Sequence, residues 1–252
     1  MKKILTLLFV LAAALQACQN MDKSDSVGPE SGKGGSMARF AITGNSLYIV
    51  DSQSLHSYDI STPGNPQKGG SKNLGIGIET IYPYQNSLFI GAQDGMYIFD
   101  NTDPSNPKLI SKYWHVQSCD PVVVQDNYAY VTLRGGSTCR NGATTNSSLD
   151  VVDLSDLANP KILHTQNMLT PYGLGVSGKL LFVCEGTHGL KTFDIQNPKL
   201  PVLIGKNTTI DAFDVIVRNS GSLILVGKNG LYQFSFDENA GDLTLLSQIP
   251  VQ

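Results

Sequence analysis

The sequence predicts an all-β protein built from about five similar units, each with four short antiparallel strands. Two periodic features carry this prediction. In the first, an apolar strand ends in Asp and a Pro follows seven residues later, at Asp59 to Pro66, Asp100 to Pro107, Asp153 to Pro160 and Asp194 to Pro201. In the second, an apolar triplet begins at Leu47, Leu88, Ala129, Leu181 and Leu223. Short strands that recur about every 40 residues indicate stacked or radially arranged β units.

The second unit shows how four strands fit into one repeat. The expected strands are Glu79–Tyr84, Leu88–Ala92, Met96–Asp100 and Lys108–Lys112. Asp94-Gly95 separates the second and third strands and is a typical hairpin turn. The Asp-to-Pro segment forms the loop before the fourth strand, and Pro fixes φ there. The fifth unit lacks the Asp/Pro pair but keeps the spacing of its strands.

A four-stranded sheet cannot cover both of its own faces, so each unit is expected to pack between two neighbours. Radial packing of such units gives a β-propeller, and we predict about five four-stranded antiparallel blades within residues 37–252. A parallel β-helix would repeat at a shorter period, and the Leu/Asn ladder of a leucine-rich repeat is missing from the sequence. A single Trp in the chain argues against a WD-type propeller.

Three segments carry a resemblance to a known family. They read Gly-Asn-Ser-Leu-Tyr-Ile-Val-Asp at 44–51, Leu-Asp-Val-Val-Asp-Leu-Ser at 149–155 and Asn-Pro-Lys-Ile-Leu at 159–163. This pattern resembles the LVIVD repeat, and the resemblance covers residues 38–252. It implies a β-propeller on a bacterial or archaeal surface protein, and it implies no catalytic residues.

The first 36 residues predict export and a lipid anchor. Residues 1–17 have a cationic start and an apolar run that is too short to span a bilayer, as in a secretory signal. Leu15-Gln16-Ala17-Cys18 resembles the bacterial lipobox, which predicts lipidation of Cys18; the alternative is an ordinary signal peptide with an incidental Cys. Residues 18–36 are rich in Gly and Ser and predict a flexible tether. We therefore expect a location in the cell envelope, at the outer membrane, facing the periplasm or the surface.

Composition limits the kinds of partner. The chain has a net charge of −3 and no basic stripe, which argues against nucleic acid. No motif points to a cofactor or to a metal site. The sequence Glu185-Gly186-Thr187-His188 is not a helical zinc motif, because Gly and a turn context break the facing geometry.

Candidate binding residues lie on one face of the predicted propeller. The loops that enter each blade and the loops between second and third strands share this face, and loops carry function more often than strands. The candidates are Glu79, His115, Asp120, Arg134, Arg140, Tyr172, Glu185, His188 and Asp214. Glu79, Asp120 and Asp214 come from three blades and could hold a cation in the central channel, or they could form a solvated channel mouth. The Asp-to-Pro segments are interpreted as structural turns, with calcium sites as the alternative.

Three cysteines remain besides Cys18. Cys119 and Cys139 lie on the same face, and export permits a disulfide between them that would close the long loop of the third unit, Arg134 to Ser148. Cys184 lies within an apolar strand and is expected to be a buried free thiol; a nucleophilic role would need a base, and only His188 is near in sequence.

These features favour a non-catalytic module, anchored by its lipid, that binds or scaffolds an envelope protein or a surface ligand. The alternatives are a glycan-active enzyme and a small-ligand or metal-binding propeller, both using the central channel. An enzyme of this kind needs a pair of carboxylates.

Overall fold

The computed structural model describes residues 34–114, 121–136, 146–218 and 221–251. Within these ranges every regular element is a β-strand, and the twenty strands form five four-stranded antiparallel sheets. No helix in the described ranges has the length and hydrophobicity required to cross a membrane. The predicted all-β fold with five four-stranded blades is confirmed, and the architecture is a five-bladed β-propeller.

The strands follow one another in sequence order within each blade, from the innermost to the outermost. Blade 1 contains β1 (Phe40–Thr43), β2 (Ser46–Val50), β3 (Ser54–Asp59) and β4 (Gln67–Asn73). Blade 2 contains β5 (Ile78–Tyr84), β6 (Ser87–Ala92), β7 (Gly95–Asp100) and β8 (Lys108–Trp114). Blade 3 contains β9 (Val122–Gln125), β10 (Tyr128–Leu133), β11 (Ser147–Asp153) and β12 (Lys161–Met168). Blade 4 contains β13 (Leu174–Ser177), β14 (Leu180–Cys184), β15 (Leu190–Asp194) and β16 (Val202–Asn207). Blade 5 contains β17 (Ala212–Arg218), β18 (Ser222–Gly227), β19 (Gly230–Phe236) and β20 (Leu243–Pro250).

The Asp-to-Pro segments are structural turns. The side chains of Asp59, Asp100, Asp153 and Asp194 each accept a hydrogen bond from the backbone N–H two residues later, at 2.7 to 2.8 Å. Such Asp side chains stabilise a turn by satisfying its backbone donors. The backbone hydrogen bonds hold the pKa of Asp59 and Asp100 below the ordinary value. The prediction of turns is confirmed.

Alternating residues of each strand face opposite neighbours, so the blades share apolar cores. In β6, Leu88 and Ile90 pack towards blade 1, whereas Phe89 between them packs towards blade 3. The same alternation builds the cores between blades 3 and 4 and between blades 4 and 5. Polar bonds also cross these interfaces, such as the one that the buried Tyr48 hydroxyl donates to Asn101 Oδ1 at 2.8 Å.

The two terminal blades differ from the central ones. Among the described residues, the four apolar cores join blades 1 to 2, 2 to 3, 3 to 4 and 4 to 5, and no such core joins blade 5 to blade 1. We expected each blade to be covered on both faces. Blades 2, 3 and 4 meet this expectation, while blades 1 and 5 each bury one face against a blade and have a second face that joins no such core among the described residues.

Residues 34–37 occupy the space near the axis between blade 1 and blade 5. Gly35 and Ser36 are buried, and the Ser36 hydroxyl accepts a hydrogen bond from Leu174 N at 2.7 Å. A side chain at position 35 would collide with the Asp214 carboxylate. The packed domain therefore includes Gly35 and Ser36, which the sequence placed in the tether.

Candidate functional site

A cavity of about 150 Å³ opens on the face where the innermost strands begin. Residues from four blades meet there, since the chain enters each blade on this face. We call it the mouth cavity, and its lining is Met37, Arg39, Glu79, Thr80, Pro121, Arg134, Pro171 and Tyr172. The structure thus brings together three of the predicted residues, Glu79, Arg134 and Tyr172.

Arg134 and Tyr172 form the best-defined contact in the mouth cavity. The Arg134 guanidinium carbon lies 3.9 Å from the centre of the Tyr172 ring, a cation–π geometry. The Tyr172 ring also makes an edge-to-face contact with the Phe213 ring, with 5.2 Å between the two centroids. Backbone hydrogen bonding of Tyr172 N to Cys184 O at 2.8 Å fixes the segment that carries the ring. This stack fixes the position of the guanidinium group in the cavity lining.

The charges of the cavity lining are unequal. Among the described residues of the lining, Arg39 and Arg134 bring two positive charges, and Glu79 brings one negative charge. Gln93 Nε2 donates to Glu79 Oε1 at 3.4 Å. Arg39 is exposed and has no ion-pair partner within the described ranges. Since guanidinium groups match the planar geometry of carboxylates and phosphates, this lining favours an anionic group.

Asp214 lies near the axis but does not line the mouth cavity. Its Oδ1 accepts hydrogen bonds from Val215 N at 2.9 Å and from the Ser36 hydroxyl at 3.4 Å. Burial under residues 35–37 raises the pKa of Asp214 to about 6, against the opposing effect of these hydrogen bonds. The segment before β1 therefore separates this carboxylate from the cavity.

Glu185 and His188 contribute to the structure of blade 4. The Glu185 side chain is fully buried, and its Oε2 lies 2.7 Å from Lys191 Nζ. Its Oε1 accepts a hydrogen bond from Leu169 N at 2.8 Å. His188 Nδ1 lies 3.2 Å from the Thr170 hydroxyl. These contacts hold the connection between β14 and β15, and neither residue lines the mouth cavity.

The remaining predictions, for this face and for the N-terminal segment, fall outside the described residues. They concern His115, Asp120, Arg140, the Cys119–Cys139 disulfide, lipidation of Cys18 and the signal peptide at 1–17. Cys184 is a buried free thiol, as predicted. Burial raises the pKa of its thiol well above the ordinary value, and the Asp214 charge adds to this. That shift argues against a nucleophilic role, since the thiolate is the reactive form.

Met37 and Arg39 were missed by the sequence analysis. Their signal was present, because Arg39 precedes β1 as Tyr172 precedes β13, and both positions lie in loops that enter a blade. Within the described ranges, no group of three or more His, Cys, Asp and Glu residues is close enough to hold a metal ion.

Comparison with known proteins agrees with this architecture. The LVIVD repeat model matches residues 34–73, 143–167 and 173–209. The chain carries LVIVD repeats. The matches cover blade 1, the outer half of blade 3 and all four strands of blade 4 of this LVIVD-repeat protein. No curated protein matches it by sequence.

Solved structures resemble the LVIVD-repeat protein in fold. A functionally unknown protein from Desulfotomaculum acetoxidans is 12% identical over 87% of this chain and 71% of its own, with a TM-score of 0.67. The periplasmic gluconolactonase PpgL of Pseudomonas aeruginosa is 13% identical over 82% of this chain and 68% of its own, with a TM-score of 0.62. BamB of Moraxella catarrhalis is 11% identical over 77% of this chain and 55% of its own, with a TM-score of 0.57. At these identities the likeness shows the propeller fold alone.

Proposed function

We propose that this LVIVD-repeat protein is a lipid-anchored envelope protein whose propeller binds a protein or surface ligand without transforming it. The anchor is the lipid that the lipobox-like sequence predicts at Cys18. The binding site is the mouth cavity, and its ligand carries an anionic group such as a carboxylate or a phosphate.

One observation carries this proposal: Arg39 and Arg134 meet around a single small cavity. Its volume of about 150 Å³ is below the roughly 300 to 1,000 Å³ of pockets that enclose a drug-sized ligand. A single charged group fits such a space, while the rest of the ligand lies on the surrounding loops. The Arg134–Tyr172 stack holds one guanidinium in place before binding, which lowers the entropy lost when a ligand binds.

The arrangement favours binding over hydrolysis. Hydrolysis of a glycan by paired carboxylates needs two such groups flanking one bond. Within the described lining of the cavity, Glu79 is the carboxylate. Asp214, whose pKa suits a general acid, is covered by Gly35 and Ser36.

Thermal unfolding of the full chain tests the binding site. The probes are inorganic phosphate and a short oligoglutamate peptide, with a panel of divalent metals and neutral glycans for comparison. A probe at about 100 times its dissociation constant adds about 2.7 kcal/mol to the free energy of unfolding. For a domain of this size the Tm then rises by about 5 to 10 °C.

Arg134→Gln should abolish the shift caused by the anionic probes. The matched control is Arg218→Gln, since Arg218 is exposed at the far end of β17 and outside the mouth cavity. An equal shift in native protein and Arg134→Gln, or a shift with neutral glycans alone, would contradict the proposed site.

The lipid anchor has its own test. Mass spectrometry of the protein isolated from cells that export lipoproteins should show an N-terminal diacylated Cys18 and no residues 1–17. Cys18→Ser should leave the protein unmodified and move it from the detergent phase to the aqueous phase. A native chain without lipid would contradict the anchoring part of the proposal and leave the cavity test unaffected.

A further inference from the structure

A second cavity lies on the propeller axis, at the opposite end from the mouth cavity. Its volume is about 180 Å³, and the ends of the innermost strands β5, β9 and β13 line it. Gly34 also lines this cavity and Met37 lines the mouth cavity, so the buried residues Gly35 and Ser36 separate the two. We call the second space the channel cavity, and the residues that define it are Tyr82, Tyr84, Gln85, Val124, Gln125 and Val176.

The lining of the channel cavity is neutral. Among its described residues no side chain carries a charge, in contrast to the two arginines and Glu79 of the mouth cavity. Val124 and Val176 provide apolar walls, and tyrosine and glutamine side chains provide polar groups. An ion that entered would lose its hydration without meeting an opposite charge, which is costly. The cavity therefore favours an uncharged ligand.

Several hydrogen-bonding groups of the channel cavity have unused capacity. The Tyr82 hydroxyl makes no hydrogen bond with the described residues. Burial raises the pKa of Tyr82 to about 12, and the nearby Tyr84 hydroxyl adds to this, so Tyr82 stays protonated and can both donate and accept. The Tyr84 oxygen accepts a hydrogen bond from Asp126 N at 2.7 Å, which leaves its own O–H to donate. Gln125 Nε2 donates to Gly178 O at 2.6 Å, which leaves Oε1 to accept.

The last two hydrogen bonds also join neighbouring blades at the rim of the channel cavity. Tyr84 of blade 2 is bonded to the inner turn of blade 3, and Gln125 of blade 3 is bonded to the inner turn of blade 4. The rim is thus held in place before a ligand arrives, and a preorganised site loses less entropy on binding.

The backbone of Gln85 supports a role for its side chain. Gln85 has a φ of +50° in the two-residue turn between β5 and β6. At the same position blades 1 and 4 have Gly44 and Gly178, each with a φ of +55°. Gly adopts a positive φ without steric cost, and Asp, which blade 3 has at Asp126, is among the side chains that tolerate it. Gln has neither advantage, and backbone strain of this kind occurs where a side chain is needed for function.

We propose that the channel cavity binds one ring of a neutral sugar. The carbon–hydrogen faces of such a ring are apolar and can pack on the tyrosine rings and valines, while its hydroxyls can pair with the neutral donors and acceptors. A purely apolar ligand would leave those groups unpaired, at a cost in affinity. The volume of about 180 Å³ is below the roughly 300 to 1,000 Å³ of pockets for drug-sized ligands. A single ring therefore enters, and the rest of a glycan lies over the inner turns.

Isothermal titration calorimetry of the full chain tests this site. The probes are glucose, galactose and N-acetylglucosamine, with cyclohexanol as a ring that has a single hydroxyl. We expect at least one sugar to bind at a ratio of one to one. Cyclohexanol should bind at least about tenfold more weakly, because it leaves most of the polar groups unpaired. Sugar binding should persist in Arg134→Gln and in the presence of inorganic phosphate, since the mouth cavity is a separate space.

Tyr82→Phe tests the free hydroxyl. This change removes one hydrogen-bonding group and keeps the ring, so sugar binding should weaken by about 3- to 10-fold. The matched control is Tyr128→Phe, because Tyr128 is a half-buried tyrosine of β10 outside the described lining of the channel cavity. Its sugar affinity should equal that of the native chain.

Gln85→Gly separates a binding role from a structural one. Gly is the residue of blades 1 and 4 at this position and relieves the backbone strain. The variant should therefore bind sugar more weakly while its Tm is no lower than that of the native chain. A side chain kept only for structure would give the opposite pattern, with a lower Tm and unchanged sugar affinity.

Three results would overturn the proposal. They are no binding of any sugar, as expected if residues before Gly34 fill the cavity, sugar binding that both Tyr82→Phe and Gln85→Gly leave unchanged, and cyclohexanol binding as tight as that of the sugars. Failure of the anionic probes at the mouth cavity would leave these results unaffected, so the two sites are tested independently.

Discussion

The buried carboxylate of Asp214 should make the stability of the propeller depend on pH, and Asp214→Asn should remove this dependence. Folding places Asp214 beneath residues 35–37, where its pKa rises from 3.8 to about 6. The folded state therefore binds the proton more tightly than the unfolded state. The stabilisation by the proton is complete below pH 3.8 and is lost as the pH rises to about 6.

The size of the effect follows from the two pKa values. At about 1.4 kcal/mol per pKa unit, the ionised carboxylate lowers the free energy of unfolding by about 3 kcal/mol at neutral pH. An Asn side chain carries no charge, and its oxygen can still accept hydrogen bonds from Val215 N and the Ser36 hydroxyl. Asp214→Asn should therefore raise the Tm at pH 8 by up to about 6 to 12 °C, at 2 to 4 °C per kcal/mol.

Far-UV circular dichroism during heating, at pH values from 4 to 8, measures this difference. The gain in Tm of Asp214→Asn over the native chain should be largest above pH 6 and should shrink towards pH 4. Asp100→Asn is the control, because Asp100 is exposed and its pKa is lowered by a hydrogen bond to Thr102 N. A Tm difference for Asp214→Asn that stays constant from pH 5 to pH 8 would refute the argument that burial penalises this charge.

Three further substitutions should show in urea unfolding followed by circular dichroism. Tyr48→Phe removes a buried hydroxyl that donates a 2.8 Å hydrogen bond across blades 1 and 2, and we expect a loss of about 1 to 3 kcal/mol; no loss would mean that the bond contributes nothing. Lys191→Met leaves the buried Glu185 carboxylate unpaired and should cost about 3 to 5 kcal/mol, with recovery when Glu185→Gln is added. Gly189→Ala should cost more than Gly44→Ala, because both have positive φ but only Gly189 faces a backbone carbonyl at the place of the new Cβ; equal losses would contradict this steric reason.

The strand pattern could be predicted from the sequence because it is repeated and local. Asp94-Gly95 separates two apolar runs, and the observed strands β6 and β7 meet at this turn. The predicted strands Glu79–Tyr84 and Leu88–Ala92 differ by one residue from the observed Ile78–Tyr84 and Ser87–Ala92. Turn chemistry and alternation of apolar residues act over a few residues, so they can be read without knowing the tertiary structure.

The uncovered ends could not be predicted in this way. Leu47 and Ile49 have the same alternation as Leu88 and Ile90, although the first pair faces an open junction and the second pair faces a neighbouring blade. The alternation of apolar residues along a strand shows that one face is apolar, but it does not show which part of the protein packs against that face. The partner of a sheet face is set by the arrangement of whole blades.

The candidate site was partly predictable for a related reason. Arg134 and Tyr172 were found because loop positions place them on one face, and the structure brings them into contact. Glu185 lies on that side too, but Lys191 neutralises its charge. Lys191 is the Lys within strand β15, and a Lys at such a position could have indicated a buried acidic partner. Asp214 is covered by Gly35 and Ser36, whose small polar character resembles that of a tether.

The junction between blades 5 and 1, which no described apolar core closes, and the buried Asp214 carboxylate both affect the stability of the terminal blades. In repeat architectures each unit contacts only its neighbours, so stability is close to a sum over units and interfaces. Blades 1 and 5 each contribute to one internal core, and residues 35–37 are the described link between the start of blade 1 and the inner strand of blade 5. Ionisation of Asp214 weakens this link, because the charge is then buried beneath Gly35 and Ser36. The terminal blades should therefore be the first to separate when the pH rises through 6.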